Sequence, residues 1–312
     1  MIRDTNIDKT KAISILLMIA GHCDSIWNTK FFYMIFSFHM PLFFIFSGYF
    51  YRPKTNKELI KHEINKLIKP YIITAIIAII FLLLNDFQKA TNYAIGALIG
   101  CMGSWNPLIK TNELQAGPIW FLLALFWCKI YYNIIQKRYP KHTFLICIIL
   151  TLIFWKIDEK IMNLPLCIGC GFTGLFFYGS GIILRKRNIN NFKYRWIAYA
   201  IWIFAFNYSY LNMAQYIYTW FPLSMLGAIC GTITFYDLSK FIKDKAATIL
   251  LYIGNHTLDI LCCHTIAWVS RIYILHSLHI EQTIINQDLS YIVLTIIYSI
   301  TLLSLKSITI KN

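Results

Sequence analysis

Lys11 and His22 stand eleven residues apart in an apolar run, and Asp8 lies three residues before the lysine. On an α-helix turning about 100° per residue, Lys11 and His22 differ in direction by about 20° and Asp8 and His22 by about 40°, so the three share one face. At about 1.5 Å per residue, His22 stands roughly 16 Å beyond Lys11, about half-way through a hydrocarbon core of about 30 Å. Hydrocarbon penalises polar groups that lack a partner or a task, which makes an ionisable residue at that depth a candidate functional site. Histidine, with an ordinary pKa of about 6.5, can take a proton from a hydroxyl near neutral pH. The plainer alternative for His22 is a hydrogen bond between helices. Asp8 and Lys11, at i,i+3, can partly neutralise each other. Asp24 faces elsewhere if the helix continues and is not assigned a role.

The next apolar run reads Ser37-Phe38-His39-Met40-Pro41-Leu42-Phe43-Phe44-Ile45-Phe46-Ser47-Gly48-Tyr49-Phe50. Pro41 cannot donate to the carbonyl of Ser37. Backbone freed at membrane depth is tolerated where it is buried in protein or lines a cavity. His39 is either part of such a cavity or a packing residue. Ser47-Gly48 allows a close helix approach. Cys167-Ile168-Gly169-Cys170 has C-x-x-C spacing, but no second pair lies near it, and small packing residues are the simpler reading than zinc or redox use.

The elements that must position these residues follow from composition. Of 312 residues, 58% are hydrophobic and 14% charged, against roughly 25% charged in soluble domains. Apolar runs of about 17–20 residues recur along the chain. The expected fold is all-α, a polytopic membrane protein of about ten transmembrane helices at 10–29, 31–51, 70–86, 118–136, 143–157, 164–184, 195–211, 215–236, 246–269 and 288–307. Residues 90–107, rich in Gly and Asn, suit a re-entrant or interfacial segment. No internal repeat or separate soluble domain is visible, so 1–312 reads as one membrane unit, and the first run lacks an A-x-A-like cleavage site.

The net charge of +15 does not call for nucleic acid, because the basic residues sit in short loops between apolar runs. With both termini in the cytoplasm, twenty-two Lys and Arg fall on that side and six, Arg271 among them, on the other. The positive-inside rule therefore puts both termini in the cytoplasm. Residues 55–69 form an amphipathic pattern, with Leu59, Ile60, Ile64, Leu67 and Ile68 as its apolar stripe and Pro70 opening the next span. That helix suits anionic lipid, or lipid and a polyanionic donor together.

Several of these pieces together resemble the acyltransferase 3 family of integral membrane acyltransferases, which O-acylate polysaccharides, lipopolysaccharide, peptidoglycan and other acceptors. They are Asp8…Lys11…Gly21-His22, Phe38-His39-Met40-Pro41-Leu42-Phe43-Phe44…Ser47-Gly48-Tyr49, Lys69-Pro70-Tyr71, Trp120-Phe121-Leu122, Phe176-Phe177-Tyr178-Gly179-Ser180-Gly181 ahead of Arg185-Lys186, and Ile253-Gly254-Asn255-His256-Thr257-Leu258…His264. Their order spans residues 8–264. The resemblance implies that His22 is the essential base and that the basic residue eleven positions before it is functional. Many members have Arg there. Lys11 offers a point charge without a bidentate fork, as in the branch of fucose O-acetylase-like proteins.

On this reading the protein is a membrane O-acyltransferase of a bacterial cytoplasmic membrane. It moves an acetyl group from cytoplasmic acetyl-CoA to a sugar hydroxyl of a cell-surface or lipid-linked glycan. Asp8, Lys11 and His22 are the catalytic set. His39, Ser47, Trp120, Asn255 and His264 are candidates for substrate contact, and Lys66 and Lys69 for the CoA phosphates. No metal and no tightly bound cofactor is expected. The expected partners are the lipid bilayer, acyl-CoA and the glycan acceptor. The competing reading is a transporter or exporter of a glycan or small acid, with intramembrane His and Lys as a proton relay.

Overall fold

Asp4 caps the first of the fourteen α-helices among the described residues, its carboxylate accepting the N–H of Asn6 at 3.0 Å. The computed structural model describes residues 4–100, 114, 116–160, 164–191 and 193–311. Helix α1 covers Thr5–Gly21, α2 Lys30–Phe36, α3 His39–Tyr49, α4 Asn56–Glu63, α5 Lys69–Leu83, α6 Phe87–Ile99 and α7 Trp120–Arg138. Helix α8 covers Thr143–Lys160, α9 Ile168–Lys186, α10 Arg195–Tyr208, α11 Phe221–Lys240, α12 Asp244–Asn255, α13 Thr257–Ser277 and α14 Ile284–Lys311. The β-structure among the described residues is a two-residue hairpin, Leu211–Asn212 (β1) paired antiparallel with Ile217–Tyr218 (β2).

The architecture is all-α, as expected. Each of the ten expected spans holds helix, and seven stretches are long and apolar enough to cross a membrane: Lys30–Tyr49, Asn56–Leu83, Gly117–Arg138, Pro165–Lys186, Phe221–Lys240, Thr257–Ser277 and Ile284–Ile308. The chain is a multi-pass membrane protein. Its outer belt fits that solvent: Ile73, Ile76 and Ile80 of α5 and Ile296 and Ile300 of α14 are all exposed, and so broad an apolar surface would drive association in water.

Four boundaries differ from the sequence reading. The first span stops at Gly21, because Asp288 of α14 takes the N–H groups of Asp24 (2.7 Å) and Ser25 (3.0 Å) and turns the chain into a short 3₁₀ turn. The second is broken between α2 and α3, so Pro41 falls in the first turn of α3, where its missing N–H costs little. The amphipathic segment and the third span form one continuous helix, with a π turn over Ile64–Ile68 just before Pro70. The 246–269 span is two helices that part at His256. Residues 90–99 belong to α6, closed by Gly100 at φ 75°; 101–107 lie outside the described residues.

Helices α3 and α9 cross at the centre. A Cβ on Gly48 would lie 1.9 Å from the Tyr178 carbonyl oxygen, and one on Gly181 1.8 Å from that of Ile45. The two backbones touch at both points because neither residue carries a side chain. Cys167 and Cys170 act as packing residues there, their thiols on the carbonyls of Gly100 (3.1 Å) and Met213 (3.2 Å). Helix α1 packs on α3 and on α11 and α12.

Candidate active site

Helix α1 carries the site along one line. Asp8 and Lys11 form an ion pair at 2.7 Å. They are held in place by α12, where Gly254 lies so close that a Cβ on it would stand 2.0 Å from the Asp8 carbonyl oxygen. Lys11, Ile15 and Met18 then face a cavity of about 340 Å³. The other walls of that cavity come from Met40, Phe43 and Ser47 of α3, and its mouth from Arg52, Lys54, His62 and Lys66. Deeper in, Lys129 of α7 donates to Glu63 at 2.8 Å, with side chains 11% and 4% exposed. Five cations thus border the cavity against one carboxylate that is already paired.

His22 lies one residue past the end of α1 and faces a second, smaller chamber of about 40 Å³. Phe36, His39, Pro41 and Trp120 line it, together with Leu211–Ala214 of the hairpin. The hairpin is pinned by Asn212, whose side-chain N–H groups reach Tyr210 and Gln215 (3.0 Å each), and by Tyr218, which donates to Thr173 at 3.2 Å. Met18 and Met40 line both cavities and stand where they meet.

The ring of His22 is oriented by its own helix. Its Nδ1 lies 2.8 Å from the carbonyl of Met18. A carbonyl only accepts, so Nδ1 carries the hydrogen and the neutral ring keeps its lone pair on Nε2. His39 and His264 are held in the same way, on Ile35 (2.9 Å) and Leu261 (2.6 Å). His264 sets its ring edge-on to His22, centroids 5.5 Å apart, and its Nε2 has no partner among the described residues.

The residues singled out by sequence therefore divide. His22, His39 and Trp120 meet in the small chamber; Lys11, Ser47 and Lys66 meet in the large cavity. Asp8 lines neither and pairs with Lys11. His264 lines neither and backs His22. Lys69 and Asn255 are exposed and line neither.

Sequence reasoning missed the Lys129–Glu63 pair, although a lysine inside a span was itself the signal. His62 of the amphipathic segment also bonds Glu63, at 3.0 Å, and borders the cavity. Sequence reasoning also placed Arg271 in an outer loop. Arg271 is 5% exposed within α13 and donates to Asp24 at 2.8 Å. Met18 and Met40 gave no signal, being apolar residues in apolar runs.

A histidine in one chamber, with a cation-rimmed cavity further along the same helix, suits transfer of a group from a polyanionic carrier to a hydroxyl. The model of the acyltransferase 3 family, described as an acyltransferase domain, matches residues 4–305. No curated protein and no solved structure matches the chain. The match covers nearly the whole chain and includes both cavities, and on that ground the protein belongs to the acyltransferase 3 family and is an integral membrane acyltransferase.

Proposed function

We propose that the protein transfers an acetyl group from cytoplasmic acetyl-CoA to a sugar hydroxyl of a cell-surface or lipid-linked glycan, with His22 as the general base. The observation that carries this reading is the meeting of two unlike cavities on one face of α1, the cationic one at Lys11 and the histidine-bearing one at His22. CoA is a polyanion, and its phosphates find Lys11, Arg52, Lys54 and Lys66 at the mouth of the large cavity. The acceptor hydroxyl enters the small chamber from the other side of the membrane.

There the Nε2 of His22 removes the hydroxyl proton as the oxygen attacks the thioester carbonyl carbon. The tetrahedral intermediate collapses, the C–S bond breaks, and the proton passes from the imidazolium to the departing CoA thiolate. General-base help of this kind is worth about 10²–10⁴ in rate, and holding both substrates in line supplies much of the rest. The membrane is the bacterial cytoplasmic membrane, with both termini inside. Burial of Arg271 supports this orientation, since it removes one basic residue from the outer side of an already lopsided count.

The test compares surface glycans from cells with and without the gene by mass spectrometry, and from cells expressing His22→Ala. The expected result is loss of one acyl mass in both the deletion and the variant. Persistence of the acyl group in the His22→Ala cells overturns the role of the base. Transport of an intact glycan without CoA-dependent chemistry in purified protein overturns the enzyme reading.

A further inference from the structure

We propose that Met18 and Met40 form the partition between the two cavities that limits the transferred acyl group to about the size of acetyl. The inference rests on the function proposed above and names what that function leaves open, the length of the acyl chain.

The geometry comes from two helices. On α1, Lys11, Ile15, Met18 and His22 follow at i, i+4, i+7 and i+11, with the first two in the donor cavity, the last in the acceptor chamber and Met18 in both. On α3, His39 faces the small chamber, Phe43 and Ser47 the large one, and Met40 both. Met18 is 1% and Met40 8% exposed, so both are packed away from bulk solvent. For the thioester carbon to meet a hydroxyl held by Nε2 of His22, the acyl group must pass between these two side chains.

The far side offers little room. The small chamber holds about 40 Å³ against about 340 Å³ for the large cavity, so beside an acceptor hydroxyl it has room for a short acyl group and little for a long one. Several other walls are stiff: Trp120 is a large ring, Pro41 and Pro118 have fixed backbones, and the His39 ring is hydrogen-bonded to Ile35. On the side shared with the large cavity, a longer acyl chain gains space where Met18 and Met40 stand. Methionine is unbranched and turns about three side-chain bonds, so it can part for a thioester and close behind it.

The experiment uses the full-length protein in lipid vesicles with a membrane glycan fraction from its own cells and acetyl-, butyryl- or hexanoyl-CoA as the donor. CoA thiol release and acyl incorporation are both read. The wild type is expected to favour acetyl over butyryl by about tenfold or more, the scale on which a pocket resolves one or two methylenes. Met18→Ala and Met40→Ala are expected to shrink that ratio by about tenfold by raising butyryl transfer. Met40→Leu, close in volume, keeps the wild-type ratio. Met40→Phe, which narrows the passage, lowers acetyl transfer about tenfold or more while equilibrium binding of CoA itself changes little. An unchanged chain-length ratio in alanine variants that still turn over acetyl-CoA overturns the proposal, and if those variants fail to fold, unimpaired acetyl transfer by Met40→Phe does so. Absence of transfer from every acyl-CoA by the wild type fails the proposed function itself and is told apart by that control.

Discussion

Lys129 meets Glu63 across 2.8 Å in the wall of the large cavity, with 11% and 4% of their side chains exposed. The pair fastens α7 to the helix that runs from the cationic surface into the membrane. Breaking one partner of a buried pair leaves the other uncompensated, at a cost of about 3–5 kcal/mol. Lys129→Met is therefore expected to lower the unfolding midpoint in detergent strongly, and Lys129→Met with Glu63→Gln to recover most of it. A double-mutant cycle followed by thermal unfolding checks the coupling.

The proposed base gives a second expectation. His22→Ala is expected to lower transfer by about 10²–10⁴ with membrane insertion unchanged. His264→Ala removes a ring that stands edge-on to His22 and lines neither cavity. It should therefore lower kcat while leaving KM for acyl-CoA near the wild-type value. Steady-state kinetics in vesicles separate the two parameters.

Lys11 should divide the kinetics the other way. A charge-assisted contact is worth about 1.5–3 kcal/mol, or about 10–100-fold in affinity. Lys11→Met is expected to raise KM for acetyl-CoA on that scale, and Lys11→Arg to restore most of the loss. Equilibrium binding of CoA by the purified variants is the direct check, and unaltered affinity in Lys11→Met would leave the lysine only its ion pair with Asp8.

Asp288 holds the turn that follows His22 by accepting two backbone N–H groups. Asp288→Ala leaves both donors of a partly buried turn unsatisfied, each worth about 1–3 kcal/mol. The variant is expected to lose thermal stability and activity together. Hydrogen exchange should show faster opening at residues 24–26.

The central crossing gives the last expectation. Gly181→Ala would put a methyl carbon 1.8 Å from the Ile45 carbonyl oxygen, which the helices relieve only by separating. Overpacking costs about 1–3 kcal/mol and occasionally more. Folded yield and Tm in detergent should fall, and Gly48→Ala, which strikes Tyr178 in the same way, should match it.

Much of this site was legible from the chain. The all-α membrane fold follows from recurrent apolar runs, and Asp8, Lys11 and His22 follow from helical spacing. Other features lay beyond one-dimensional reading for definite reasons. Lys129 announces a buried charge, but Glu63 lies sixty-six residues away. Arg271 lowers the hydropathy of its own neighbourhood, so the apolar run looks finished before α13 ends, and its partner Asp24 sits at the other end of the chain. The halt of α1 at Gly21 depends on Asp288, again a distant residue. That His39 and Trp120 join His22 in one chamber is a consequence of how α1, α3 and α7 pack, which no local spacing encodes.

Met18 serves the site with two different parts of itself. Its main-chain oxygen aims the imidazole, while its side chain stands between the two cavities. A sliding or rolling of α1 would disturb both at once. Rotation about the side-chain bonds disturbs only the second. The division of labour within one residue lets the partition move while the imidazole stays still, so opening the way between the cavities and keeping the ring aimed are not competing demands on the same atoms.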